Sequence, residues 1–204
     1  SKGGPERAEF FVHCPFGWRQ DETTVVARNE DSIVMHATFV EGDRESKLFL
    51  ASDVDHDTLS AIVQTSRKHS NEDRLLWDVM KLPHHCSYLS LGPEPGEDET
   101  DPMPDVKYLF EDRREDGSYI VSPSLPIPEK GTEDDSSQPP HRQAASYHKR
   151  ISRACDGEFT VTMAYPSRFK PKPFAYTVTA FGIALEISAP MVSSSAAAST
   201  PRAG

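Results

Sequence analysis

The chain has 204 residues, 36% of them hydrophobic, and a formal net charge of −10; that is apolar material enough for one domain with a buried core. So acidic a balance argues against broad, sequence-independent nucleic-acid binding, which needs clustered Lys and Arg, although His148, Lys149, Arg150 and Arg153 form a local basic run. Cys14, Cys86 and Cys155 are widely spaced with no C-x-x-C pair, which excludes a disulfide framework or zinc ribbon and points to a reducing, cytoplasmic setting, and no apolar run is long enough for a membrane span.

The first residues, SKGGPERAEFF, lack the apolar core of a signal peptide, and residues 1–7 are expected to be a linker or remnant. Phe10 to His13 predicts a short strand, stopped by CPFG, and residues 23–27 (TTVVA) are a second β-rich run. Residues 32–40 (SIVMHATFV) alternate and are β-branched, so a strand is expected there. A turn over EGDRES and a strand over KLFLASD complete a hairpin. Residues 57–68 (DTLSAIVQTSRK) carry apolar residues at helical spacing, with Asp57 as the expected N-cap. Residues 75–83 (LLWDVMKLP) contain a strand that runs into a His pair. Residues 91–105 and 126–140 are rich in proline and acid and are expected to be loops. Between them lie two short apolar runs, 107–110 and 118–122, the second a predicted strand. Residues 141–152 (HRQAASYHKRIS) predict a helix, and residues 158–165 and 174–187 are alternating strands. From residue 189 the Ser/Ala-rich tail is expected to be disordered. Strands and helices interleave throughout, which gives an α/β or α+β class.

Three stretches carry chemistry. Asn29-Glu30-Asp31-Ser32-Ile33-Val34 opens the first long strand, Leu50-Ala51-Ser52-Asp53 ends the second, and Pro83-His84-His85-Cys86-Ser87 follows the third. In this order they resemble the second half of a metallo-β-lactamase fold, most closely its ComEC-like hydrolase branch. That branch has a strand beginning N-x-x-S-[IVL]-V, a strand ending in a T-G-D-like acid and a strand ending in P-H-H-G-S. The resemblance extends over roughly residues 8–187 and is most specific in the first part of that range.

The resemblance implies a four-layer αββα sandwich, of which residues 8–188 supply mainly the C-terminal half. It implies two divalent metal ions, zinc first and manganese or iron as alternatives. Asp53 would bridge them, because a carboxylate has two oxygens, and His85 would be the imidazole ligand. His84 would act catalytically, contacting substrate or giving a proton to the leaving group, with Ser87 and His141 as substrate-binding residues. The activity implied is metal-dependent hydrolysis, a phosphodiesterase or nuclease acting on a nucleic acid or nucleotide. Two departures stand out: Ser52 and Cys86 replace glycines of the pattern, and H-x-H-x-D-H, the metal signature of the fold's first half, does not occur in the chain. The first half is therefore expected on an N-terminal segment, in the same or a separate chain. Without it, one apolar sheet face would be bare and the chain unstable as an isolated monomer.

Other readings stay open. The fold would be kept and its metals lost in a protein-binding subunit of a larger assembly, such as a bacterial defence system. His84 and His85 would then be a polar turn, and Asp53 an acid at a helix start shared with Asp55 and Asp57. Cys86, beside two histidines, is a candidate reactive thiol. Lys149 and Arg150 would lie on a solvated face, and Trp77 and Tyr88 would be packing residues.

Overall fold

A computed structural model describes residues 7–15, 32–132, 135, 138–173 and 175–186. The expected strand at 23–27, the Asn29 to Asp31 part of the first motif and the tail from 189 lie outside the described residues.

The architecture is mixed α/β. One sheet contains β1 (Arg7–Cys14), β2 (Val34–Glu41), β3 (Arg44–Ala51), β4 (Trp77–Lys81), β5 (Arg114–Ser122) and β6 (Glu158–Val161), in that spatial order. β1, β2 and β3 are antiparallel neighbours, and β3 to β6 are parallel. The three parallel crossovers carry α1 (His56–Lys68), α2 (Pro104–Lys107) and α3 (Arg142–Arg153), as parallel pairing demands. A separate hairpin, β7 (Tyr176–Thr179) and β8 (Gly182–Leu185), follows.

The β2–β3 turn is shorter than the expected EGDRES loop. Glu41 pairs with Arg44, leaving Gly42 and Asp43 as a two-residue connection. Gly42 has φ +59, the left-handed first position that a type II′ hairpin turn needs. The N-cap of α1 is Asp55 rather than Asp57: its carboxylate accepts from Thr58 N at 2.9 Å. The cap must reach a backbone N–H two or three residues ahead, and Asp57 already lies within the first turn. Residues 107–110 are not strand-like. They belong to α2 and the π-helical turn Tyr108–Asp112, which buries Leu109 and Phe110. Residues 174–187 are two strands reversed at Ala180 and Phe181 rather than one.

The core lies on the helix-covered face of the sheet. Val34, Phe49, Met80 and Ile120 meet Leu59, Ile62 and Val63 of α1, and Ala144, Tyr147 and Ile151 of α3. Trp77 Nε1 donates to Leu109 O at 3.0 Å, which satisfies its polar edge inside the core. The opposite face is apolar too. Its rows run Phe10 and Val12, Met35 and Ala37, Leu48 and Leu50, Val79, then Tyr119 and Val121. The β7–β8 hairpin covers part of it, with Tyr176 on Tyr119 at 5.1 Å between ring centres, while Phe10 and Val12 remain 59% and 57% exposed.

Candidate functional site

The site forms where the parallel strands end. After β4 the chain crosses to β5, Leu82 N donating to Val121 O at 2.8 Å, and then coils left-handed. His84, His85 and Cys86 have φ of 46, 53 and 65. Non-glycine residues enter this region at a cost of roughly 1–2 kcal/mol each, so the turn must be held from outside. His84 N donates to Ser52 O at the end of β3, Ser87 N to His84 O, and His141 N to Cys86 O. The Cys86 side chain is fully buried among core residues, and burial pushes its thiol up to about 12. Cys86 therefore takes the backbone position at which the resemblance has glycine, and it is inert packing rather than a thiolate.

Asp53 lies just past the end of β3 and is 43% exposed. His85 faces it, Nε2 to Oδ1 3.8 Å apart. The other ring nitrogen of His85, Nδ1, lies 2.7 Å from Pro123 O. A carbonyl only accepts, so Nδ1 carries the proton, and in the neutral ring Nε2 is left with its lone pair toward Asp53. The Nε2–Oδ1 separation is too long for a hydrogen bond. It is near the spacing of about 3.4 Å between two ligands of one tetrahedral zinc. The donor set thus fits a divalent ion, as two ligands of four. Among the described residues, no group of three or more His, Cys, Asp and Glu is placed to hold a metal.

Lys81, at the end of β4, joins this edge of the sheet, and sequence reasoning missed it. Its Nζ donates to Ala51 O at 3.2 Å and to Ser52 O at 2.8 Å, tying the end of β4 to the strand end that carries Asp53. Burial lowers its pKa, and the Asp53 carboxylate acts in the opposite direction. The signal available in sequence was a lone lysine closing an apolar strand, WDVMK, with nothing to indicate that it folds inward.

The remaining expected site residues are placed as follows. His84 is half-buried, and its Nδ1 is buried with no hydrogen-bond partner among the described residues. Ser87 is 1% exposed and accepts from Leu89 N through Oγ. His141 is 6% exposed; its Nδ1 accepts from Tyr88 N at 3.2 Å and its ring meets that of Tyr88. Asp53 and His85 thus face each other, His84 joins this edge through its backbone bond to Ser52 O, and Ser87 and His141 brace the turn.

No family model matches this chain, and neither does any curated protein or solved structure. The geometry of the site, with the sequence resemblance, carries the functional argument.

Proposed function

We propose that the protein is a metal-dependent hydrolase of the metallo-β-lactamase fold, acting on phosphodiesters. The observation that carries this reading is the tautomer of His85: with Nδ1 donated to Pro123 O, its free Nε2 is directed at the Asp53 carboxylate. Such backbone-oriented imidazoles beside a carboxylate are how proteins prepare metal ligands.

In this reading Asp53 and His85 hold one edge of a centre of two divalent ions, with zinc first and manganese or iron as alternatives. The remaining ligands come from the first half of the four-layer sandwich. That half packs on the sheet face bearing Phe10 and Val12, whose exposure leaves a surface for a second sheet. The ions supply Lewis acidity and a nucleophilic water at neutral pH. The chain's own residues orient this chemistry. Lys81 fixes the strand end carrying Asp53, and the Pro123 carbonyl fixes the His85 ring. His84, half-buried in the same turn, contacts substrate or gives a proton to the leaving group. Ser87 and His141 hold the turn rather than touch substrate.

The test is elemental analysis of the purified full-length protein beside an Asp53→Asn, His85→Ala variant, with hydrolysis of bis-p-nitrophenyl phosphate measured on both. Zinc or manganese and hydrolysis, both lost in the variant, support the proposal. Equal metal content in the two samples overturns the assignment of Asp53 and His85 as ligands, and no metal in either overturns the reading in favour of a metal-free protein-binding module.

A further inference from the structure

Charge is segregated along this acidic chain. Between residues 136 and 185 the acids are Asp156 and Glu158 alone, whereas the cations include Lys149, Arg153, Arg168, Lys170 and Lys172. Elsewhere cations are widely paired: Arg44 with Asp78, Lys47 with Glu115, Arg67 with Asp105, Arg74 with Glu9. In α3, Arg142 and Arg150 are taken up by Asp98 and Glu99 of the acidic loop. Lys149 and Arg168 are exposed, and each lies over an aromatic ring, Phe159 and Phe169 respectively.

Those two side chains border one cavity of about 410 Å³, whose walls also include Phe159, Thr160, Tyr165 and Ile127. Glu158 is the acid on these walls, and the Thr160 hydroxyl donates to it at 3.0 Å. The cavity adjoins the candidate site through a short, tethered piece of chain. Pro123 takes the His85 proton. The next residue, Ser124, accepts from Thr162 Oγ1 and Met163 N just beyond β6. Pro126, two residues on, is already a cavity wall. Three residue steps span at most about 11 Å, a distance of one or two nucleotides along a strand.

We propose that this cavity is a subsite for single-stranded nucleic acid, in which Lys149 and Arg168 hold a backbone phosphate flanking the one at Asp53 and His85. The assignment of the neighbouring phosphate as the scissile one rests on the function proposed above; the binding itself does not. Two cations lining one partly aromatic cavity give phosphate attraction and a stacking surface together, the combination that single-strand binders use. The concavity matters in an acidic chain, because a local cluster with low-dielectric walls focuses its field where net charge would oppose binding.

The test is fluorescence anisotropy of a short labelled oligothymidylate at low salt in EDTA, so that neither metal nor hydrolysis enters. A Lys149→Gln, Arg168→Gln variant is compared with Lys68→Gln, Lys107→Gln. The control removes the same charge from exposed positions near α1 and α2. The cavity variant is expected to bind about tenfold or more weakly than wild type, and its log K against log salt slope to fall by about 0.7 for the one phosphate no longer neutralised. The control stays near wild type in both. Equal weakening in the two variants, or no binding by wild type, overturns the proposal. Loss of metal and hydrolysis in the Asp53 and His85 variant with retained oligonucleotide binding is the expected pairing. If the metal reading fails, binding still reports on the subsite; if the subsite fails, hydrolysis of the small diester is untouched.

Discussion

His85 and Asp53 face each other across the ends of two parallel strands, Nε2 to Oδ1 3.8 Å apart, and a carbonyl 38 residues away in sequence, Pro123 O, decides which nitrogen of that imidazole is free. Imidazole, acid and orienting carbonyl come from three strand ends, β4, β3 and β5. Sites of open α/β sheets form at this edge because strand ends deliver side chains from distant sequence positions to one line.

Lys81 is the brace between two of these ends. Replacing it by Met keeps the aliphatic stem but leaves Ala51 O and Ser52 O without their ammonium donor. Metal affinity is expected to fall by about 10- to 100-fold, the usual effect of losing an outer support of a metal ligand, with the circular dichroism spectrum unchanged. Titration with zinc against a chromogenic chelator reads this directly, and wild-type affinity in Lys81→Met would remove the residue from the site.

The start of α1 discriminates between two neighbouring acids. Asp55→Ala removes the bond to Thr58 N and is expected to cost about 1 kcal/mol. Asp57, 84% exposed in the first turn and 3.2 Å from His56 Nδ1, contributes through the helix dipole and an exposed contact, a few tenths of a kcal/mol. Urea unfolding of the two variants ranks them, and the opposite ranking would return the cap to Asp57.

His148 makes the fold acid-sensitive. It is fully buried between Phe110, Tyr147 and Phe159, and burial lowers its pKa to about 3 from 6.5. His13 is lowered to about 4, chiefly by burial, with its backbone bond to Arg74 acting the other way. Both folded-state values lie below the unfolded one. The unfolded chain therefore binds protons first as pH falls below 6.5, and stability present above that value is lost toward the folded values. At about pH 5 the His148 contribution alone is lost by roughly 2 kcal/mol. His148→Phe is expected to flatten the dependence of the urea midpoint on pH over this range. An unchanged slope would place the proton elsewhere.

Cys14, Cys86 and Cys155 are buried thiols. None is expected to react with an aromatic disulfide reagent in the native state, and each should react once denaturant is added. Rapid native labelling that disappears in Cys86→Ala would restore the reactive-thiol reading for that residue.

Much of the fold was legible because its signals are local. Alternation over 32–40, the glycine-containing turn and the apolar spacing of α1 depend on residues a few positions apart, and each element formed with boundaries shifted by at most three residues. The hairpin within 174–187 escaped because Ala180 and Phe181 look like further strand residues, and only Gly182, at φ 114, marks the reversal. The basic run in α3 divides in a way its composition does not show. Adjacent helical residues point about 100° apart. His148 therefore enters the core, Lys149 reaches the cavity beside β6, and Arg150 turns to Glu99.

From sequence alone came the order of elements and the residue types at the strand ends, since these follow from periodicity and composition, while the association of Asp53 with one of the two histidines came as what the resemblance implies. Only the tertiary structure decided which histidine meets Asp53, which of its nitrogens is free, that Lys81 folds inward and that Ser87 and His141 brace the turn from behind. Each of those depends on a hydrogen bond or ion pair whose partners are brought together by strands crossing over helices, and no local pattern in the chain encodes that distance.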